Sequence, residues 1–339
     1  MKTEYQERES RFLEMIRTCR PDMSKAHAAF CAKYLEPVFG PPDLAGNYTL
    51  DIGANPRAMF AAHSDTVHSV GGNQKIQVSG GMVRLHPKAK SNCLGADCTT
   101  GVHIILEMIR ANVPGRYAIF ATEEIGCIGS RDYVKRRADE LAGIEFVISL
   151  DRKGYNSIIT HQMGRRTASD SFAFNLAGIL DLDLTPDPTG SYTDSNEFAR
   201  HVSECTNVSV GYFGQHGPGE YQDLAFLGKL TERMIRADWS QLKAFRDHTV
   251  TEFDDWPLTV SKGKKSAGKK AGYSSGQSWR EFMRDFDPWE TGPMSMRELV
   301  RDYPHAIADW LEDQGLNAND LCNELGISNG TRGGYGNGY

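Results

Sequence analysis

Four short apolar runs, each followed by an acid or a histidine, constrain this chain more than any other feature. Residues 57–62 lead into His63, 117–122 into Glu123, and 145–150 into Asp151. Residues 207–212 come shortly before His216. Runs this short and this apolar predict buried strands, because a buried helix needs roughly ten residues or more. Helical spacing of apolar residues fills the intervals over 99–110, 130–141 and 194–201, with a long helix expected over 222–246. Residues 8–36 predict two short helices broken at Pro21-Asp22, with Phe12, Met15 and Ile16 on one stripe and Ala29, Phe30 and Tyr34 on another. Strands alternating with helices predict an α/β fold, a mostly parallel central sheet sandwiched by helices. Open sheets of this kind build their sites at the C-terminal ends of the strands. His63, Glu123 and Asp151 are all expected at that edge.

A chain of 339 residues can bury one large core and still carry a small appendage. The appendage announces itself by composition. Residues 259–278 hold the basic Lys/Gly/Ser stretch of a flexible linker. A small helical module is expected over 279–327, where Ser295 and Glu298 have the spacing of a capping box. Residues 328–339 read as a disordered tail. Residues 1–258 are left as the catalytic domain. A net charge of −6 gives no reason to expect nucleic acid or a membrane surface as partner. The charged first residues do not resemble a secretory leader, and no apolar run reaches spanning length. Seven cysteines without framework spacing predict a reducing compartment, the cytoplasm.

The residues at the strand ends are those that bind divalent metal. His63 and Asp65 stand two apart, so both can leave a strand end on one side, and a metal-bound imidazole usually donates its other N–H to a carboxylate. The same pair also reads as a strand-end histidine bonded to a turn aspartate. Asp97 lies in a small-residue loop, Gly95-Ala96-Asp97, that runs into a helix. It can offer one oxygen to each of two ions, or simply cap the helix. Glu123-Glu124 is harder to dismiss, because adjacent carboxylates repel and local structure gains nothing from both. If Glu124 binds metal, Glu123 is left to move a proton from the attacking water to the leaving amine. Asp151 and His216 each have a plain reading too, as a surface ion pair and a loop histidine. In order, histidine, aspartate, glutamate, aspartate and histidine are what a two-zinc hydrolase needs.

These motifs carry a resemblance. His63-x-Asp65-Thr66-Val67, Gly95-Ala96-Asp97, Glu123-Glu124-x-Gly126-x-x-Gly129-Ser130, Asp151 and His216 with Glu220 resemble the co-catalytic zinc exopeptidases over residues 55–245. That group holds bacterial leucyl-type aminopeptidases and zinc carboxypeptidase-like amidohydrolases. The resemblance implies two zinc ions, replaceable by cobalt or manganese. His63 and Asp151 would hold one, Glu124 and His216 the other, with Asp97 bridging, Glu123 as general base and Asp65 supporting His63. It also implies a cis peptide at Asp97-Cys98. Cys98 stands where many relatives have a second acid, which puts the detail of that loop in question.

Only 65 positions separate Asp151 from His216, and strands and a helix already fill them. The 34 from His63 to Asp97 are too few for the insertion of the large oligomeric aminopeptidases. A lidless domain acting on peptides or acylated amino acids is expected, with an aminopeptidase favoured. The alternatives are a carboxypeptidase or N-acyl-amino-acid amidohydrolase, for which Arg152, Lys153, Arg165 and Arg166 would supply cations, and a non-catalytic scaffold retaining the fold.

Overall fold

The computed structural model describes residues 3–250. They belong to the first of the two units into which the chain divides, Met1–Asp254 and Asp255–Tyr339. The linker over 259–278, the helical module over 279–327 and the tail over 328–339 lie outside the described residues.

A seven-stranded mixed sheet forms the centre. Its order is Thr185–Asp187, Ser157–Ile159, Glu204–Ser209, Phe146–Arg152, Ala58–His63, Gly115–Phe120, Tyr48–Ile52. The run from Glu204–Ser209 to Gly115–Phe120 is parallel throughout. Tyr48–Ile52 closes one side antiparallel, and Glu204–Ser209 meets Ser157–Ile159 antiparallel on the other. Alternation along the central strand assigns its residues to two cores. Ala58, Phe60 and Ala62 share one core with Val102, Ile105, Phe172 and Leu227. Met59 and Ala61 share the second with Tyr133, Val134, Phe198 and Val202. Helices Glu4–Met15, Ala96–Arg110, Asp170–Leu180 and Leu224–Arg236 therefore cover one face, and Ile128–Arg137 covers the other.

Burial on both faces explains why the strands read as unbroken apolar runs rather than alternating ones. The short edge strands and a second sheet gave no such run. That sheet is antiparallel, ordered Tyr212–Phe213, Tyr221–Asp223, Met82–Leu85, Ile76–Ser79. It matters for the site because the loop of its Tyr212–Phe213/Tyr221–Asp223 hairpin carries His216.

Several elements differ from expectation. The helix expected over 222–246 runs only from Leu224 to Arg236. Beyond it the Asp238 side chain accepts from the Ser240 N–H and hydroxyl, a local alternative to helical bonding. The helix expected over 194–201 ends at Glu197. The fourth strand is Glu204–Ser209 rather than 207–212, since its ladder shifts register between Asn207 and Ser209 and the chain turns at Gly211. Near the N-terminus, Thr18–Cys19 pairs with Gly72–Asn73. Helix Lys25–Phe30 then continues through a π-turn, Cys31–Leu35, into Glu36–Phe39. Pro37 lacks the N–H that regular α-bonding would use there. Among the described residues no helix is long and apolar enough to cross a membrane.

Candidate metal centre

Parallel neighbours bring the first pair together. His63 ends the Ala58–His63 strand, and Asp151 is the penultimate residue of Phe146–Arg152 beside it. His63 Nε2 lies 3.4 Å from Asp151 Oδ1. It lies 3.0 Å from Asp97 Oδ1, contributed by the loop that opens the Ala96–Arg110 helix. The Asp97-Cys98 peptide is cis, and helical dihedrals begin only after Cys98. From the hairpin loop, His216 Nε2 stands 3.2 Å from Asp97 Oδ2 and 3.2 Å from Glu124 Oε2. Asp97 thus presents one oxygen to each imidazole. All five residues singled out in the sequence as ligands meet in one place.

Asp65 organises the acid pair as well as the histidine. Its Oδ1 is 3.4 Å from His63 Nδ1. Its two oxygens also accept from the Glu123 and Glu124 N–H groups, each at 3.1 Å. With both amides anchored, the two side chains diverge. Glu124 reaches His216, while Glu123 Oε2 stops 3.9 Å from His63 Nε2. The rest of the motif follows from packing. A Cβ on Gly129 would sit 2.4 Å from the Ala121 carbonyl oxygen, so only glycine fits that close approach. Ser130 Oγ donates to Asp194 Oδ1 at 2.5 Å.

The charges do not balance within the protein. Asp97, Glu123, Glu124 and Asp151 are nearly buried, with side-chain exposures of 11, 11, 8 and 9%. Among the described residues no lysine or arginine pairs with any of them. Burial lifts Glu123 well above the usual carboxylate range, against the attraction of His63, with Asp151 and Asp194 adding to the rise. Burial, then the charge of Asp97, pushes Asp151 up to about 7. Asp97 moves the other way despite its burial, because His216 and His63 donate to it. Hydrogen bonds to Asp97 and Glu124 raise His216 to about 10. Burial lifts Asp194 to about 8.

The arrangement suits a divalent cation. Excess buried negative charge, imidazole, carboxylate and thiol donors in three overlapping groups, and a buried Glu124 Oε1 with no hydrogen-bond partner all fit that chemistry. The clusters that can hold an ion include Asp97 with Glu124 and His216, and His63 with Glu123 and Glu124.

The sequence matches peptidase family M28 over residues 47–188. The chain carries a peptidase family M28 domain. It is a metallopeptidase, of the co-catalytic zinc exopeptidase group that the motifs resemble. Solved structures share the fold at low identity. Aminopeptidase PepT from Bacillus cereus is 15% identical, with a TM-score of 0.53 over 68% of this chain and 97% of that one. A tripeptidase from Staphylococcus aureus is 14% identical, with a TM-score of 0.55 over 68% and 97%. The TET1 peptidase of Pyrococcus horikoshii is 14% identical, with a TM-score of 0.50 over 67% and 98%. No curated protein matches the sequence.

The M28 domain also uses residues that sequence reasoning passed over. Thr193 Oγ1 donates to Asp151 Oδ2 at 3.1 Å, and Tyr212 donates its hydroxyl to the Asp151 carbonyl at 2.6 Å. Arg20, fully buried, donates to the Ser64 carbonyl at 2.6 Å and to Thr99 Oγ1 at 2.7 Å. It therefore ties the His63 strand end to the Asp97 helix. No motif flags these residues, because each lies in an unremarkable stretch and reaches the site only through the fold. Asp194 is buried as well, and its charge adds to the rise at Glu123.

Proposed function

We propose that this metallopeptidase is an aminopeptidase that holds two zinc ions. His63 and Asp151 would bind one, Glu124 and His216 the other, with Asp97 shared between them. The bound ions would supply Lewis acidity toward the attacking water and the scissile carbonyl. The chain's own residues do the rest. Glu123 stands beside the ligands with no lysine or arginine paired to it among the described residues, and burial raises its proton affinity, which favours taking up a proton. It takes the proton from water and returns it to the leaving amine. Asp65 holds the Glu123 and Glu124 amides and faces the far nitrogen of His63, so base and ligands keep a fixed spacing.

The observation that carries the choice of terminus is where the cations are spent. Arg152 donates to Asp187 at 3.3 Å and to Thr189 Oγ1 at 2.9 Å, and Arg166 pairs with Asp170 at 3.1 Å. With both guanidinium groups engaged, neither is left to meet a substrate carboxylate, which favours a substrate read at its amine end. The six described cysteines are all buried and unpaired, in keeping with a cytoplasmic, reducing setting. A panel of aminoacyl anilides, N-acylated amino acids and free dipeptides tests the reading. Turnover is expected for substrates with a free α-amine and lost on acetylation. Equal or faster cleavage of acylated substrates would replace the aminopeptidase with an amidohydrolase.

A further inference from the structure

Glu220 is four residues past His216 and belongs to no group of candidate metal ligands, yet its carboxylate is almost fully buried. It spends both oxygens on one stretch of backbone. Oε2 accepts from the N–H groups of Leu94 at 2.8 Å and Gly95 at 2.9 Å. Oε1 accepts from Ala96 at 2.8 Å and Asp97 at 3.2 Å. Four successive amides converging on one carboxylate make a concave anion site of the kind backbone forms when a left-handed residue interrupts it. Gly95 is that residue, at φ 75° and ψ 32°. A Cβ there would lie 2.6 Å from His68 Cε1.

The two ends of this contact are unlike. The amides belong to the loop that aims Asp97, the carboxylate that faces both imidazoles. The acid belongs to the hairpin loop that carries His216, whose own backbone is left-handed at φ 65° and whose side chain is half exposed. Non-glycine residues enter that region only against steric repulsion at Cβ, so the loop needs something to hold it. Between Phe213 and Tyr221 no residue contributes a core side chain. Glu220 supplies the attachment.

We propose that Glu220 is a positioning residue that latches the His216 loop to the Asp97 loop and so assembles the second of the two ion sites. The proposal rests on the two-ion reading given above. The His63–Asp151 half does not depend on the latch, because the central sheet already sets those two side chains side by side. Loss of the Glu220 acceptors should therefore weaken the Glu124–His216 site selectively.

The test is a calorimetric zinc titration of metal-stripped wild type, Glu220→Gln and Thr100→Val. Glutamine has the same shape, but its amide nitrogen would face two backbone N–H donors. Thr100→Val breaks a neighbouring buried bond, Thr100 Oγ1 to Gln222 at 2.7 Å, without touching the latch, and controls for plain loss of stability. Wild type should bind two ions in distinguishable steps. In Glu220→Gln the weaker step should lose about 10- to 100-fold in affinity, the cost usual for a group that orients a ligand, while the tighter step stays within a few-fold. Thr100→Val should keep both steps. Equal losses at both steps, or none, overturn the latch. Wild type binding fewer than two ions overturns the two-ion reading instead. Hydrogen exchange on metal-free wild type needs no variant to fold. The amides of residues 94–97 should stay protected without metal, and rapid exchange there would overturn the proposal independently.

Discussion

The two halves of the metal centre are built by different means. His63 and Asp151 stand on adjacent parallel strands, and His63 is 1% exposed. Their separation is a property of the sheet. Glu124 and His216 stand on loops, and the His216 side chain is 50% exposed. Their separation depends on side chains that grip backbone, Asp65 on one loop and Glu220 on the other. The difference teaches that similar ligand chemistry can rest on unequal foundations. The sheet-built half is expected to be tight and slow to exchange, and the loop-built half adjustable.

The largest expected effect belongs to neither half. Glu123→Gln should lower turnover by about a hundredfold or more while metal content stays at the wild-type level. Steady-state kinetics alongside elemental analysis checks both parts, and near-full activity would remove Glu123 from its role. Next come the ligands. His216→Ala should leave about one ion per chain, whereas His63→Ala removes a buried imidazole that faces Asp97 and Asp151 together and should leave the protein nearly metal-free. If the two variants retain equal metal, the comparison between halves fails.

The pH dependence sharpens the contrast further. Without metal, His216 has its proton affinity raised to about 10 from an ordinary 6.5 by Asp97 and Glu124. A group raised on folding stabilises the metal-free protein fully below the unfolded value and loses that contribution as pH rises through the folded one. Metal-free protein should therefore become less stable between about pH 6.5 and about 10. Metal binding has the opposite sign, since an ion must displace that proton, and affinity should rise by about tenfold per pH unit across this window for each proton displaced. Melting curves of chelated and loaded protein across this window should diverge. Parallel curves would mean that His216 does not trade its proton for metal. The smallest expected effect is that of removing the residues after 260. Every group assigned to the site lies between Arg20 and Glu220, so zinc stoichiometry and small-substrate turnover should change by no more than a few-fold.

The sheet-built half was also the more legible in sequence. Residues 57–62 and 145–150 announce buried strands, and the side chain at the end of such a strand has one place to go. Histidine, carboxylate and glutamate pair could be read at those ends before any fold was known. The loop-built half was legible only as motif. His216 follows no strand directly, because Tyr212–Phe213 and Tyr221–Asp223 are too short to show a period. The grip of Glu220 on residues 94–97 joins positions more than a hundred apart, and no local pattern records it. The helix over 222–246 was overextended for a related reason. Apolar spacing continues past Arg236, but Trp239 leaves the helix to pack on Phe60.

Asp65 holds two successive amides of the Glu123-Glu124 turn, and this makes one unit of what the sequence presents as two. Outside the Asp97 loop, the chain between them can lengthen or shorten without cost to the chemistry, as long as both ends return to the same seam. Neither end can change alone. A substitution at Asp65 would misdirect two glutamates that it grips through their backbone amides, and would look in an activity screen like damage to the glutamates themselves. Transplanting this centre into another sheet would require carrying both segments across as a matched set, together with the Asp97 loop that lies between them.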